Sequence, residues 1–306
     1  MGPATDQIVA DWIAADWGTS RLRVWAMDAQ DRVLASASSD RGMGALTADG
    51  FEPALSDLIA PWRAPGQRLE VLICGMAGAR QGWIEAPYAA TPCAPSGTIP
   101  VTAPTRDPLV SVRILPGLSQ RDPPDVMRGE ETQIAGFIAR NPGYDGTLCL
   151  PGTHAKWVRL TGGRVISFRT AMTGEMFALL SQGSVLRHSL DDGWDATAFA
   201  SGVAETLADP PALSAALFGI RAASLLSSVG AGVARARLSG LLIGAELAAM
   251  RACWRDLPVT VIGDAALATA YCRALADAGC DVRQQDGATL VLSGLIAARR
   301  QERDRT

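Results

Sequence analysis

Two turns that join glycine to threonine hold the residues best suited to chemistry in this chain of 306 residues. Gly18-Thr19-Ser20 lies in segment 13–37, and Gly152-Thr153-His154 lies in segment 148–168. In both segments an apolar run enters the turn, a second apolar run leaves it, and a polar turn leads to a third. Such turns point backbone N–H groups outward, where they bind phosphates and other anions. Each segment could also be an ordinary β-hairpin, but their repetition favours two anion-binding turns.

The spacing of the two turns predicts the organisation of the chain. Gly152 follows Gly18 by 134 residues, close to half of the chain. A duplication on this scale predicts two related halves and a cleft between them, in which both turns would hold a nucleotide polyphosphate. We therefore expect an N-terminal domain over residues 1–146 and a C-terminal domain over residues 147–306. The last helix could cross back to the first domain.

The single lysine of the chain also lies near one of these turns. Lys156 follows Thr153 by three residues, whereas every other basic residue besides the histidines is an arginine. An ammonium group there could stabilise the charge that builds up on transferring phosphoryl oxygens. The side chain could equally point to solvent from the strand after the turn, because the register of that strand is open.

Composition argues against several classes of protein. The net charge is −3 without a block of like charges, which argues against nucleic-acid binding. No apolar run approaches the roughly 18 residues of a membrane span, and the N-terminus lacks the basic region of a signal peptide. Six cysteines without a CxxC pair indicate reduced thiols, and two histidines exclude a histidine-rich metal site. We therefore expect a cytoplasmic protein that does not bind membranes.

Familiar nucleotide and nucleophile motifs are missing from the sequence. GxxxxGK(S/T) is missing, which excludes a P-loop enzyme. No GxGxxG follows the first strand, and no GxSxG elbow is present, which argues against a dinucleotide fold and an α/β-hydrolase. A nucleotide site would have to be built from the duplicated turns.

Hydrophobic periodicity predicts strands that alternate with helices. Nine of the 18 prolines lie between Pro87 and Pro124, which predicts a long ordered loop or edge-strand region that shapes a binding site. In the helix predicted over 233–254, Gly240 and Gly244 share one face and would let another backbone approach closely. Strands are predicted over 8–16, 21–27, 32–38, 69–74 and 259–262. Helices are predicted over 50–62, 129–140, 173–188, 196–207, 212–229, 233–254, 265–278 and 289–300.

Several segments resemble a known superfamily. Asp16–Ser20 is similar to the first phosphate motif of the actin–hexokinase–Hsp70 superfamily, Leu150–His154 occupies the place of the second, and Ile262–Ala265 resembles the adenosine motif. Five segments together resemble the 2-dehydro-3-deoxygalactonokinase family of bacterial sugar-acid kinases: GMAGARQGWIEAPYAATPC, MRGEETQ, PGTHAKW, MTGEMFALL and LLIGAEL. The resemblance implies an α/β fold of two duplicated actin/hexokinase-like (ribonuclease H-like) domains around a central nucleotide cleft. It also implies ATP and Mg²⁺ as cofactors.

The resemblance assigns roles to the carboxylates. Asp16 would hold Mg²⁺, which prefers hard oxygen ligands, although an aspartate before glycine can also cap its turn. Glu130 stands where related carbohydrate kinases have the aspartate that takes the proton of the sugar hydroxyl, and Glu131 is the alternative. Both could instead only favour the positive end of a helix. The residues expected at the nucleotide are Gly18, Thr19, Ser20, Gly152, Thr153, His154, Gly244, Gly263 and Asp264, with Lys156 as a third catalytic candidate beside Glu130 and Asp16.

Substrate recognition calls for a cation. A sugar acid presents a carboxylate, which an arginine can bind through two hydrogen bonds. The sequence does not choose among the loop arginines of the first half, which are Arg41, Arg80, Arg106 and Arg128. Segment 75–88 occupies the place where related kinases hold the sugar, so Arg80, Gln81 and Trp83 are the first candidates. Glu175 could contact the sugar or cap its own helix.

Three functions remain open at this point. The resemblance implies an ATP-dependent kinase that phosphorylates the 6-hydroxyl of 2-dehydro-3-deoxy-D-galactonate, in bacterial galactonate catabolism. The gluconate epimer could be a second substrate. The alternatives are a phosphoanhydride hydrolase of the exopolyphosphatase type and a non-catalytic ATP-binding sensor. The expected partners are the sugar acid and ATP, and a homodimer is left open.

Overall fold

The structure, a computed structural model, describes residues 8–227 and 230–305. They group into two compact units. The first contains the residues up to Tyr144, Gly162–Ile166 and the residues from Ala288 onward, and the second contains Asp145–Thr161 and Ser167–Gly287. The C-terminal helix thus belongs to the first unit, so residues 147–306 do not form one continuous domain.

Strands and helices alternate along the described chain. The strands are β1 (Trp12–Trp17), β2 (Leu22–Met27), β3 (Val33–Ser39), β4 (Leu69–Gly75), β5 (Ala89–Ala90), β6 (Val101–Ala103), β7 (Val110–Ile114), β8 (Leu118–Arg121), β9 (Pro124–Met127), β10 (Gly146–Leu150), β11 (Ala155–Thr161), β12 (Arg164–Ala171), β13 (Val259–Gly263) and β14 (Val282–Asp286). The helices are α1 (Phe51–Ile59), α2 (Glu130–Arg140), α3 (Thr173–Gly183), α4 (Ala196–Ala208), α5 (Leu213–Leu226), α6 (Ala231–Ala249), α7 (Arg251–Trp254), α8 (Ala265–Asp277) and α9 (Ala288–Arg303).

A six-stranded sheet forms the centre of the first unit. Its strand order is β3-β2-β1-β4-β7-β6, with β1 antiparallel to β2 and parallel to β4. One face packs against the apolar side of α1, where Phe51 and Leu55 are buried. The other face packs against α9, where Val291 and Leu295 contact the cluster that contains Trp12. Because both faces are covered, β1 is apolar along nearly its whole length.

The second unit repeats this plan. Its five-stranded sheet has the order β12-β11-β10-β13-β14, with β10 antiparallel to β11 and parallel to β13. Counted within each sheet, both begin with the strand order 3-2-1-4. The prediction of two duplicated α/β domains is therefore confirmed.

Strand direction fixes where a site can form. β1 and β4 run parallel and end together, with Trp17 opposite Gly75. In the second unit β10 and β13 are likewise parallel neighbours. Ligands of α/β folds bind at the carboxyl ends of parallel strands. In each unit this edge carries a glycine–threonine turn.

Some predicted elements differ from the structure. The proline-rich region is not only a loop, because β7 lies inside the first sheet, between β4 and β6. Pro108 and Pro116 flank this strand without interrupting its hydrogen bonds. The helix predicted over 173–188 ends at Gly183, and a short 3₁₀ helix, Val185–Ser189, follows. The end of the helix predicted over 212–229 lies partly outside the described residues. No helix in the ranges 8–227 and 230–305 is long and apolar enough to cross a membrane.

Candidate active site

The first glycine–threonine turn is fixed by a second loop of its own unit. The turn closes through the Gly18 N–H, which donates to the Arg21 carbonyl over 2.8 Å. A Cβ on Gly42 would lie 2.3 Å from the carbonyl carbon of Ser20, so only glycine fits there. The Gly44 N–H donates to the Thr19 carbonyl over 2.8 Å. Thr19 and Ser20 remain exposed, so the tip of the turn can meet a ligand.

The second turn is fixed in the same way. A Cβ on Gly174 would lie 2.2 Å from the Gly152 carbonyl oxygen, and the Glu175 N–H donates to the Thr153 carbonyl over 2.9 Å. Gly42 follows Gly18 by 24 residues, and Gly174 follows Gly152 by 22. We call residues 42–44 and 174–175 the two supporting segments. Sequence reasoning missed them, although this spacing was a usable signal.

Asp16 lies at the carboxyl end of β1, immediately before the first turn. Its Oδ2 accepts hydrogen bonds from the Arg23 guanidinium, through Nε at 3.2 Å and through a shorter bond from Nη2. Its Oδ1 accepts the thiol hydrogen of Cys74, with 3.7 Å between sulfur and oxygen. Burial, followed by the charge of Asp16, raises the pKa of Cys74 well above its usual value, so this thiol stays a neutral donor. The Asp16 side chain is 18% exposed, which leaves it accessible to a small ligand.

The loop before α2 brings two further carboxylates to this edge. Gly75 and Gly129 both have positive φ angles, 91° and 106°, and a Cβ on Gly129 would lie 3.7 Å from the Gly75 Cα. A Cβ on Gly75 would in turn lie 3.6 Å from the Asp16 Oδ1. Gly75 therefore stands between Asp16 and the loop that carries Glu130. The structure brings these two predicted catalytic residues to one edge of the first sheet.

Glu130 and Glu131 occupy different environments. Glu131 is only 2% exposed, and its Oε2 accepts the Gly129 N–H over 2.6 Å, while its Oε1 accepts the Thr132 hydroxyl over 3.2 Å. Burial, and then the negative charge of Glu130, raises the pKa of Glu131 to about 8. Glu130 is half-buried, and its Oε2 accepts the Arg128 N–H over 3.2 Å. With a pKa of about 8, Glu131 is mostly protonated at neutral pH.

Three of the four candidate arginines are already engaged. Arg41 forms an ion pair with Asp57 over 2.9 Å, and Arg106 lies 3.7 Å from Asp49. The Arg128 guanidinium donates to the Ala86 carbonyl over 2.7 Å, lies 4.4 Å from the Tyr88 ring centroid, and has its Nε and Nη1 atoms buried. Arg80 is exposed, and its side chain has no ion pair or hydrogen bond with any residue that the structure describes.

The other two candidates from segment 75–88, Gln81 and Trp83, differ in their exposure to solvent. Gln81 is exposed beside Arg80. Trp83 is 9% exposed, stacks on Phe51 with ring centroids 6.1 Å apart, and donates its Nε1 hydrogen to the Pro104 carbonyl over 3.1 Å. Trp83 therefore packs in the core of the first unit, and the expectation that it contacts the sugar needs correction.

A cavity of about 1020 Å³ lies in the second unit beside its turn. Gly152, Thr153 and Asp264 line it, together with aromatic and aliphatic side chains. Its volume suits a ligand of nucleotide size. The aromatic lining residues are Phe177, Trp194, Phe199 and Tyr271, the cationic ones are Arg235 and Arg273, and the hydroxyl-bearing ones are Thr173, Thr197, Ser239 and Thr269.

The predicted adenosine motif lies next to the second turn. A Cβ on Gly263 would lie 3.3 Å from the Pro151 carbonyl oxygen, because β13 ends beside β10. Asp264 caps α8 by accepting the Ala266 N–H over 3.1 Å. Gly244 does not line this cavity. A Cβ there would lie 2.4 Å from the Val203 carbonyl oxygen, so Gly244 serves the close crossing of α4 and α6, and its expected contact with nucleotide needs correction.

Three further candidates lie around the second turn. His154 and Glu175 are joined by a hydrogen bond of 2.6 Å between Nε2 and Oε2, and both are partly exposed. Lys156 is 5% exposed and donates to the Thr170 hydroxyl over 2.9 Å. The lysine therefore does not point to solvent, and it is not among the residues that line the cavity.

The residues present fit a magnesium ion only in part. No group of three or more metal-binding side chains occurs within residues 8–227 and 230–305. Asp16 supplies a hard anionic oxygen at the right strand end, and Mg²⁺ typically takes one or two carboxylates, with phosphate and water completing its coordination. Asp16 thus suits an ion that arrives with a nucleotide better than a permanently bound one.

Comparison with known proteins adds to this geometry. The family model described as 2-keto-3-deoxy-galactonokinase matches residues 16–298. A probable 2-dehydro-3-deoxygalactonokinase of Rhizobium meliloti (strain 1021) is 41% identical over 296 residues, 94% of this chain and 96% of the relative. The 2-dehydro-3-deoxygalactonokinase of Escherichia coli (strain K12) is 34% identical over 292 residues, 94% of this chain and 97% of the relative. A crystal structure of a candidate 2-dehydro-3-deoxygalactonokinase from Sinorhizobium meliloti superposes with a TM-score of 0.89 at 42% identity, over 94% of this chain and 98% of that one.

Proposed function

The chain belongs to the 2-keto-3-deoxy-galactonokinase family, and we propose that it transfers the γ-phosphoryl group of ATP to the 6-hydroxyl of 2-dehydro-3-deoxy-D-galactonate. The carrying observation is the asymmetry of the two turns. Asp16 and Glu130 lie at one edge of the first sheet, whereas a large, mostly apolar cavity adjoins the second turn. Phosphoryl transfer needs both a nucleotide site and a site that handles protons and charge.

The second unit would hold the nucleotide. Aromatic and aliphatic side chains of the cavity suit the adenosine, because a base stacks well on aromatic rings. The exposed turn of Gly152 and Thr153 offers backbone N–H groups to phosphates, and α3 begins beside it. The N-terminal end of a helix carries partial positive charge, which favours anions. The Arg235 and Arg273 guanidinium groups add positive charge to the cavity lining.

The first unit would supply the base. Glu131 is mostly protonated at neutral pH and in that form cannot accept a proton, whereas its half-buried neighbour is better suited to that role. An environment that raises the pKa of one acid of a pair commonly leaves the role of base to the other acid. Glu130 would therefore take the proton of the sugar 6-hydroxyl as its oxygen attacks the γ-phosphorus, while the bond from phosphorus to the ADP oxygen breaks.

Asp16 would hold the magnesium ion that accompanies ATP. Bound there, the ion would neutralise negative charge on the phosphate oxygens. Asp16 would exchange part of its interaction with Arg23 for this role, since Arg23 engages its Oδ2. Gly18, Thr19 and Ser20 would complete the phosphate contacts of this unit through their exposed turn.

Arg80 is the best-supported partner for the substrate carboxylate. It is exposed and unpaired within the described chain, and it follows Gly75, which stands beside Asp16. Gln81 would hydrogen-bond the sugar hydroxyls, and Glu175 is a further candidate for that contact. The carboxylate of the sugar acid would accept two hydrogen bonds from this uncommitted guanidinium.

The direct test is ATP turnover by purified protein with Mg²⁺ and each sugar acid. ADP release that depends on 2-dehydro-3-deoxy-D-galactonate, with a smaller rate for its gluconate epimer, is expected. Phosphate release without sugar would instead indicate a hydrolase, and binding without turnover would indicate a sensor. Glu130→Gln should bind ATP normally but lower kcat about 10²-fold or more. A normal kcat in this variant would remove Glu130 from the mechanism.

We also propose a cytoplasmic location, since ATP is available there and all six cysteines are free thiols. Dimerisation stays a prediction, and light scattering of the purified protein measures it.

A further inference from the structure

A buried carboxylate outside both turns connects the parts of the nucleotide site. Glu246 lies in α6 and is 5% exposed. Its Oε1 accepts the indole N–H of Trp157 over 2.7 Å, and its Oε2 accepts the Tyr271 hydroxyl, also over 2.7 Å. The hydroxyl of Thr173 donates a further hydrogen bond to this carboxylate. Three neutral donors therefore converge on one carboxylate.

The three donors come from three separate elements of the site. Trp157 lies on β11, the strand that leaves the second glycine–threonine turn. Thr173 begins α3 and directly precedes Gly174, which supports that turn. Tyr271 lies on α8, the helix that Asp264 caps. Of these donors, Thr173 and Tyr271 line the nucleotide cavity itself.

The stability of the fold does not by itself explain why a carboxylate is buried at this position. Burial raises the pKa of Glu246, while the three donors oppose that rise by favouring the anion. Replacing a buried charged group and its partners with well-packed apolar residues often leaves stability unchanged or higher. A carboxylate that accepts several hydrogen bonds does, however, fix the relative geometry of its donors.

We propose that Glu246 is a positioning residue for the nucleotide: it holds β11, the start of α3 and α8 in the arrangement that binds ATP. The inference rests on the proposed function, in that ATP is taken as the ligand of the cavity. Glu246 itself is not required to touch the nucleotide. Its loss would displace Thr173 and Tyr271, and with Thr173 the supporting segment of the second turn.

The test is Glu246→Gln, which keeps the shape of the side chain. One of the two acceptor oxygens becomes an NH₂ group, which would then face the N–H of Trp157 or the hydroxyl of Tyr271. ATP affinity is measured by calorimetry without sugar acid, and KM is measured for both substrates.

We expect the dissociation constant and KM of ATP to rise about tenfold or more. The KM of the sugar acid should rise less than that of ATP, because Arg80 and Gln81 belong to the first unit and only the further candidate Glu175 lies in the displaced segment. If Glu246 only stabilised the fold, the variant would contain less active protein, but the KM of ATP would not rise relative to the KM of the sugar acid.

Glu205→Gln is the matched control. Glu205 lies on α4, forms an ion pair of 2.6 Å with Arg237 of α6, and does not line the cavity. It should leave both KM values within twofold of wild type. Unchanged ATP affinity in folded Glu246→Gln would overturn the inference.

Two further variants keep the inference testable if Glu246→Gln does not fold. Trp157→Phe and Tyr271→Phe each remove one donor and leave the carboxylate, and each should raise the ATP dissociation constant at least threefold. Wild-type affinity in both would overturn the inference. Wild-type protein that binds ATP but phosphorylates no sugar acid would refute the proposed function but not this inference. The ATP affinities of wild type and variants could then still be compared. Protein that binds no ATP would refute both.

Discussion

Replacing Glu131 by glutamine should change how the stability of the protein depends on pH. In the folded chain the pKa of Glu131 is raised from an ordinary 4.5 to about 8, mainly because the side chain is buried. The difference between the two pKa values is thus about 3.5. Each pKa unit corresponds to about 1.36 kcal/mol, so the difference amounts to about 5 kcal/mol. Glutamine has no proton to lose in this range and lacks this contribution.

The sign of the effect follows from proton binding. Between pH 4.5 and about 8 the folded protein keeps the Glu131 proton, while the unfolded chain has released it. The folded state therefore binds more protons, and its stability falls as pH rises. The contribution is fully present below pH 4.5 and is lost once pH exceeds about 8. Wild type should lose up to about 5 kcal/mol more than Glu131→Gln across this window.

Urea unfolding at a series of pH values measures this difference. The midpoint of wild type should fall relative to that of Glu131→Gln as pH rises from about 5 to about 9, a range set by the two pKa values. Glu130→Gln is the informative control, because the charge of Glu130 is the second cause of the raised pKa. Its removal should lower the pKa of Glu131 and shrink the loss. Parallel pH profiles for wild type and Glu131→Gln would refute the assigned pKa and the protonated state on which the choice of base rests.

Three further changes test the site. Gly174→Ala should weaken ATP binding about tenfold or more, because its Cβ would meet the Gly152 carbonyl. Gly183→Ala lies in the same helix, its Cβ meets no atom within 4 Å, and this control should bind ATP normally. Equal ATP affinities of the two variants in calorimetry would count against the role of the supporting segment. Asp16→Asn should raise the Mg²⁺ concentration needed for half-maximal rate and lower kcat about 10²-fold, and an unchanged metal titration would exclude Asp16 as the ligand. Arg80→Ala should raise the KM of the sugar acid about tenfold, while Arg41→Ala should not; the reverse result would reassign the carboxylate.

The sequence predicted the elements whose signals are local. Both turns follow apolar runs, and the exchange of Asp16 for Leu150 shows in the sequence alone that only the first copy carries a metal candidate. The duplication predicted two related halves, the family resemblance implied the fold class, and the fold class is confirmed. β7 was missed because prolines crowd its surroundings, although they lie outside the strand itself.

The remaining site residues depend on contacts between distant segments. Trp83 follows an exposed arginine and glutamine in sequence, yet it packs on Phe51, and no local pattern distinguishes a core tryptophan from a sugar-binding one. The resemblance put Arg80 among the first candidates, but only the structure shows that Arg41 already pairs with Asp57. Glu246 sits in a helix of apolar residues, and its role depends on donors from three other elements.

The two supporting segments explain how one backbone design can serve two chemistries. Each segment needs only a glycine against its turn and an N–H for the threonine carbonyl, and nothing in that requirement dictates the structure that follows. After Gly42 the chain forms a short 3₁₀ helix, Met43–Ala45, whereas Gly174 lies in the first turn of α3, an eleven-residue helix. A longer helix presents a stronger positive end to an anion. We therefore propose that the second turn binds phosphate without a metal, while the first, which lacks such a helix, has the carboxylate at which we propose that magnesium binds.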